Sequence, residues 1–187
     1  MTEIALFHHA GGLTPGVLAF ADLLRSAGHT VHAPDLFEGR TFDDLHDGVA
    51  HADALGHEEL ARRAAAVAEP LPERIVYAGM SLGCAMATGL LLSRPGAIGA
   101  LYLYGAVTPR WWDAEWPAGV PAQAHVAATD EWREPEIEEE FAALGDTEVF
   151  VYEADGHLFL DTDSPDYAPG AAPLATGRIL AFLGQLD

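Results

Sequence analysis

The sequence contains no lysine, and nine arginines are its only residues with a full positive charge at pH 7. Against 29 acidic residues they leave a formal net charge of −20. Such a surface repels the phosphates of nucleic acids and of anionic membranes, so we expect neither as a partner.

Cysteine is also scarce, because Cys84 is the single one in the chain. One cysteine excludes an internal disulfide and is typical of a reducing compartment, and residues 1–5 lack the basic segment of a signal peptide. The charge-free run 75–93 has the length of a membrane span, but three glycines and a serine interrupt it. We therefore predict a cytoplasmic protein in which this run is a buried strand, turn and helix.

Strand-like runs alternate with helical patterns along the chain. A length of 187 residues, half of them hydrophobic, suits one core, so we assign residues 1–187 to a single domain. The predicted strands are 4–7, 29–33, 75–78, 98–104, 121–127 and 148–153, and the predicted helices are 15–27, 58–68, 84–94, 134–144 and 171–186. Residues 36–56 are predicted to be irregular, and the glutamates at 138–140 to face solvent. This order predicts an α/β fold with an open, mostly parallel sheet flanked by helices.

The pentapeptide GMSLG, residues 79–83, lies between a predicted strand and a predicted helix. A serine on such a sharp turn has a strained backbone, and the flanking glycines prevent crowding. Its hydroxyl would stand at a helix N-terminus, where free N–H groups favour a developing negative charge. The pattern predicts Ser81 as a nucleophile, and the alternative is a tight turn whose serine caps the helix.

A serine nucleophile needs a base, and the base needs an acid that orients it. In the architecture that this strand, turn and helix indicate, both follow the serine, first the acid and then a histidine, each just after a strand end. His157 follows the last predicted strand, and Asp130 is the first acid after the strand before it. Glu131 and Asp155 are the rivals of Asp130. The alternatives are a surface histidine in a turn for His157 and an Asx turn or helix cap for Asp130.

Acyl transfer also needs two backbone N–H groups that point at the developing oxyanion. The residue after the nucleophile, Leu82, is the candidate for one of them. The loop HAGG, residues 9–12, is the candidate for the other, with Ala10 favoured. An ordinary β-to-α turn is an equally good interpretation of this glycine pair.

Several side chains near the predicted strand ends are candidates for the wall of a substrate pocket, with loop packing as the alternative for the tryptophans. They are His9, Phe37, Trp111, Trp112 and Phe159. The histidines 32, 46, 51 and 57 lie among aspartates without a metal-ligand spacing, so we predict a solvated surface, no metal and no cofactor. Cys84 is predicted to be a small buried residue, not a second nucleophile.

Four segments resemble the dienelactone hydrolase family of small α/β-hydrolases, namely FHHAGGLTP at 7–15, VHAPDLF at 31–37, GMSLG at 79–83 and DGHLF at 155–159. The similarity extends over nearly the whole chain, in the family's order. The resemblance implies an α/β-hydrolase fold with no large lid domain. It also implies a catalytic triad of Ser81, His157 and Asp130. The two oxyanion donors that it implies are Ala10 and Leu82.

The chain departs from the family's type enzymes at three positions. Those enzymes carry a cysteine nucleophile where this chain has Ser81, and a glutamate before the first oxyanion residue where it has His9. They bind a substrate carboxylate with arginines, one of them at the position of Asp161. The resemblance therefore implies a neutral ester or thioester and not a dienelactone.

The first hypothesis for the function is a serine hydrolase that cleaves a small carboxylic ester, lactone or thioester through an acyl-enzyme. A non-catalytic ligand-binding or interaction protein on the same scaffold, and an acyltransferase with the same three residues, are the alternatives. The expected partner is a small-molecule ester, and the oligomeric state does not follow from the sequence.

Overall fold

The computed structural model describes residues 1–186. Within them, six strands form one parallel sheet in the order β2-β1-β3-β4-β5-β6. The strands are β1 (Glu3–Phe7), β2 (Thr30–His32), β3 (Ile75–Met80), β4 (Ala97–Leu103), β5 (Ala122–Ala127) and β6 (Thr147–Tyr152). The helices are α1 (Pro15–Ser26), α2 (Leu45–Leu55), α3 (His57–Ala68), α4 (Leu82–Ser93), α5 (Pro135–Ala142) and α6 (Ala172–Gln185), with a 3₁₀ turn at Pro109–Trp112.

Apolar side chains cover both faces of the sheet, as the short hydrophobic strands require. In β1, Phe7 belongs to the core that α2, α3, α4 and α5 complete. Its neighbour Leu6 points the other way, into the core that α1 and α6 complete. A strand with two buried faces has a continuous apolar sequence, which is why β3 is buried along its whole length.

The order of the strands determines where a site can form. The chain moves from β1 outward to β2, and then returns to place β3 on the other side of β1. The carboxyl ends of β1 and β3 therefore lie side by side at the point where the strand order reverses. Loops at such a point leave a crevice above the sheet, and ligands of open α/β sheets bind there.

Helix α2 corrects the prediction that residues 36–56 are irregular. Asp44 caps this helix by accepting the His46 N–H at 2.8 Å. Its buried residues are the small Gly48 and Ala52, one turn apart. Because the packed face contains so little apolar surface, the sequence shows no hydrophobic stripe there.

The acidic run at 138–140 is also not wholly solvent-facing. Glu138 is 5% exposed. Arg133 donates to both of its carboxylate oxygens, at 2.8 and 3.0 Å for Nε and 2.8 Å for Nη2. A carboxylate can be buried when an arginine neutralises it and satisfies its lone pairs, which is the case here.

None of the helices within residues 1–186 has the length and apolar character of a membrane span.

Candidate active site

Ser81 lies between the end of β3 and the start of α4, with backbone angles φ 50° and ψ −113°. A positive φ is strained for a residue with a side chain. Two backbone hydrogen bonds hold the turn, one from the Ser81 N–H to the Leu103 carbonyl and one from the Cys84 N–H to the Ser81 carbonyl, both 2.8 Å. The strained conformation is therefore imposed by the sheet on one side and the helix on the other.

The glycines of the pentapeptide are needed for close backbone contacts. A Cβ on Gly79 would lie 2.4 Å from the Cys84 nitrogen and from the Gly83 carbonyl. A Cβ on Gly83 would lie 2.2 Å from the Phe7 carbonyl oxygen. The second contact packs the start of α4 against the end of β1, so it brings the N–H of Leu82 to the loop that follows β1.

His157 and Asp130 form a buried pair at the carboxyl ends of β6 and β5. The Nδ1 atom of His157 lies 2.6 Å from Oδ2 of Asp130, and the residues are 5% and 7% exposed. The other oxygen of Asp130 accepts the Trp132 N–H at 2.9 Å. The rival acids Glu131 and Asp155 are exposed, and among the hydrogen bonds of residues 1–186 neither carboxylate is bonded to the imidazole.

The loop that carries His157 is held by a further carboxylate. Asp166 Oδ2 accepts the backbone N–H groups of His157, at 2.9 Å, and of Leu158, at 3.1 Å. Gly156 has φ 85°, and a Cβ there would lie 2.5 Å from the Asp166 carboxylate. Glycine at position 156 therefore allows the chain to turn and leaves room for the Asp166 carboxylate, which holds the backbone of His157 in place.

Ser81 and His157 line the same cavity, which has a volume of about 350 Å³. No hydrogen bond joins their side chains among those of residues 1–186, and catalytic hydrogen bonds often form only when substrate is bound. The wall is largely apolar. It consists of His57, Leu82, Cys84, Ala85, Tyr104, Gly105, Ala106, Val107, Trp111, Trp132 and Glu134.

The loop 9–12 follows the carbonyls of Phe7 and His8, which lie against Gly83 at the start of α4. Within residues 1–186, Gly11 donates its N–H to the His9 ring and Gly12 donates its N–H to the His9 carbonyl, each at 3.0 Å. The N–H of Ala10 has no protein acceptor among these residues. Leu82 is the first residue of α4, so its N–H also lies outside the helical hydrogen-bond ladder. Within residues 1–186, the two N–H groups predicted for the oxyanion are thus both left without an acceptor.

Only Trp111 of the five predicted pocket residues lines the Ser81 cavity. Phe37 and Phe159 are core residues, 1% and 0% exposed, which corrects the expectation that they line the cleft. Trp112 borders a separate cavity beside α3 and α4. His9 is buried beneath the loop 9–12 and borders a neighbouring cavity of about 530 Å³.

Asp161, expected from the resemblance to face the substrate, also borders this neighbouring cavity and not the Ser81 cavity. Its carboxylate packs against Gly16 at the start of α1, where a Cβ would lie 2.0 Å away. Burial raises the pKa of this carboxyl group above its usual range.

Sequence reasoning missed two aromatic walls of the Ser81 cavity. Tyr104 follows the end of β4 with φ 67°, and its ring centroid lies 5.6 Å from that of His157. Trp132 follows Asp130 by two residues, and its ring centroid lies 6.2 Å from that of His157. Both residues are aromatic and come shortly after the carboxyl end of a strand, at the edge of the sheet where Asp130 also lies. This position was the available indication in the sequence for both.

Cys84 is 1% exposed although it borders the cavity. Its Sγ lies 3.3 Å from the Gly79 carbonyl oxygen. Burial raises the pKa of the thiol to about 12, so it stays protonated and non-nucleophilic at neutral pH.

Solved structures with this architecture define the class of fold. A dienelactone hydrolase-like promiscuous phosphotriesterase from metagenomic libraries superposes with a TM-score of 0.75 at 19% identity, covering 100% of this chain and 87% of that one. Dienelactone hydrolase from Anabaena variabilis gives 0.70 at 18% identity, with 98% and 86% covered. Esterase PE8 gives 0.67 at 18% identity, with 100% and 93% covered. The predicted α/β-hydrolase fold without a large additional domain is confirmed.

The family model of the dienelactone hydrolase family matches residues 2–186. The chain belongs to this family, and the resemblance found in its four sequence segments is confirmed. No curated protein sequence shows a significant match to the chain. Family membership and the hydrolases among the structural neighbours support a hydrolase.

Proposed function

We propose that the protein is a serine hydrolase that cleaves a small carboxylic ester, lactone or thioester through an acyl-enzyme. The observation that carries the proposal is the meeting of Ser81, on its strained turn, with the His157–Asp130 pair at one cavity. Ser81 attacks the carbonyl carbon while His157 takes the hydroxyl proton. His157 then returns the proton to the leaving group. Water next attacks the acyl-enzyme while His157 takes a proton from it, and that proton returns to Ser81 as the acid is released.

The backbone N–H groups of Ala10 and Leu82 are the proposed donors to the oxyanion. Both belong to rigid segments, because Gly83 packs against β1 and the loop 9–12 is hydrogen-bonded within itself. Donors that are oriented before the reaction stabilise the tetrahedral intermediate without having to reorganise.

The cavity supports a small and uncharged substrate. A volume of about 350 Å³ is near the lower end for ligand pockets. None of its lining residues is an arginine. A neighbouring cavity of about 500 Å³ shares Trp132 and His157 with it and is bordered by four acidic side chains, those of Asp43, Asp44, Glu131 and Asp166. Such surroundings disfavour a substrate carboxylate. The proposed location is the cytoplasm, which the single buried cysteine favours.

The test is the release of p-nitrophenol from p-nitrophenyl acetate and butyrate by the wild type, Ser81→Ala and Ser93→Ala. Ser93 is the matched control, since it lies at the other end of α4. Turnover should vanish in Ser81→Ala, persist in Ser93→Ala and fall at acid pH, because a protonated imidazole cannot accept the serine proton. Equal background rates from wild type and Ser81→Ala, together with no labelling of Ser81 by a fluorophosphonate, would refute the proposal.

A further inference from the structure

The side chain of His9 fills the concave side of the loop 9–12. The residue is 2% exposed, and its Nδ1 accepts the Gly11 N–H at 3.0 Å. The ring packs directly against Gly11, where a Cβ would lie 2.7 Å from its Cε1 atom. The loop is therefore wrapped around the imidazole that begins it.

A second buried histidine holds the loop from the other side. His8 Nδ1 lies 2.8 Å from the His9 carbonyl oxygen, and His8 Nε2 accepts the Leu36 N–H at 3.0 Å. These partners assign the proton of His8 to Nδ1, whereas the Gly11 N–H assigns the proton of His9 to Nε2. The two neighbouring rings thus adopt opposite tautomers, each set by a backbone N–H.

The His9 ring remains an acceptor over the working pH range. Burial, followed by the nearby charges of His8 and His157, lowers its pKa to about 3. Among residues 1–186, its Nε2 atom is buried without a hydrogen-bond partner. A buried unpaired N–H is unfavourable, so stability alone does not account for a histidine at this position.

We propose that His9 is a positioning residue of the oxyanion hole. By accepting the Gly11 N–H, it turns the peptide groups of the loop so that the Ala10 N–H is the one left to face the reacting oxygen. The proposal rests on the proposed function, because it concerns the orientation of one of the two oxyanion donors. His9 is not among the residues that line the Ser81 cavity.

Two substitutions separate this role from simple packing. Asparagine places its side-chain oxygen where His9 carries Nδ1, so His9→Asn keeps the acceptor for Gly11, whereas His9→Leu fills the space without one. We expect kcat of His9→Leu to fall by roughly 10- to 100-fold, a part of what the loss of one oxyanion donor costs. KM should stay within about twofold, because the oxyanion exists only in the transition state. His9→Asn should restore kcat to within about threefold of the wild type, since the acceptor is retained.

Circular dichroism and thermal unfolding establish that both variants are folded. A folded His9→Leu with wild-type kcat, equal losses in both variants, or a rise in KM at constant kcat would overturn the proposal. The rate of Ser81 labelling by a fluorophosphonate gives a second readout, because the phosphonyl oxygen occupies the same hole. A wild type that neither turns over esters nor becomes labelled would refute the proposed function and this inference together. An active wild type with an unaffected His9→Leu would refute the inference alone.

Discussion

The Nδ1 atom of His157 lies 2.6 Å from Oδ2 of Asp130, and both side chains are withdrawn from solvent. The N–H of Trp132 holds the other carboxylate oxygen at 2.9 Å, so Asp130 cannot rotate freely. A fixed carboxylate at this place keeps the proton of a neutral imidazole on Nδ1 and leaves Nε2 free for the proposed role of base.

Asp130→Asn should therefore inactivate the enzyme without unfolding it. An amide that donates to Nδ1 would favour the wrong tautomer of His157, and we expect kcat/KM for p-nitrophenyl acetate to fall by roughly 10³- to 10⁴-fold. Glu131→Gln, at the exposed neighbouring position, is the control and should keep wild-type activity. If Asp130→Asn retained more than a tenth of the wild-type kcat/KM, the acid would have to be another residue.

Trp111→Ala should change the preference for the acyl group. Trp111 is 54% exposed yet borders the Ser81 cavity, so its ring is available to a substrate. Loss of an aromatic contact should lower kcat/KM for a phenylacetyl ester by about three- to tenfold and leave acetate nearly unchanged. Trp112→Ala is the matched control, because Trp112 borders another cavity. The same loss of rate with both esters would argue against a contact with the acyl group.

Gly48→Ala tests whether α2 supports the loop that carries Ala10. A Cβ on Gly48 would lie 2.1 Å from the Ala10 carbonyl oxygen, so the helix and the loop must separate. We expect the free energy of unfolding in urea to fall by about 1–3 kcal/mol and kcat to fall more than KM changes.

Gly177→Ala in α6 is the control for Gly48→Ala. A Cβ at Gly177 would meet no atom within 4 Å beyond the backbone of its own helix, and alanine should raise the free energy of unfolding by up to about 1 kcal/mol. Equal free energies of unfolding for Gly48→Ala and Gly177→Ala would show that α2 can shift without displacing the loop 9–12.

Buried histidines should make the protein less stable in acid. Burial lowers the pKa of both His9 and His125 to about 3, whereas an unfolded chain has about 6.5. Between these values the unfolded state binds more protons, so the free energy of unfolding falls as the pH falls, by about 1.4 kcal/mol per pH unit for each such histidine. His125→Phe removes one of them, and its slope between about pH 5.5 and 4 should be smaller by about that amount. If the free energy of unfolding changed with pH at the same slope in the wild type and in His125→Phe, the lowered pKa of His125 would be contradicted.

Much of the candidate site could be predicted because it follows from local rules. The glycines around Ser81 allow the close backbone contacts of a sharp strand-to-helix turn, and the order of acid and histidine after successive strands points to Asp130 and His157. The choice among Asp130, Glu131 and Asp155 is different in kind. It depends on which carboxylate reaches an imidazole that is 27 residues away in the chain.

Two errors arose where the deciding contact is made with a residue outside the helix itself. Helix α2 packs through Gly48 and Ala52, whose small side chains leave no hydrophobic period in the sequence. Glu138 looks like one more surface acid until Arg133 is seen to neutralise it. In both cases the element's neighbours, and not its own residues, determine its environment.

By itself the sequence determined the alternation of strands and helices, the strained turn at Ser81 and the positions of its two proposed partners. These features depend on hydrophobic periodicity and on glycine, and both act over a few residues. Only the tertiary structure decided which side chains line the cavity, that Phe37 and Phe159 belong to the core, and that His9 lies beneath the loop 9–12. Those outcomes depend on how close distant segments approach, and no short-range pattern encodes such distances.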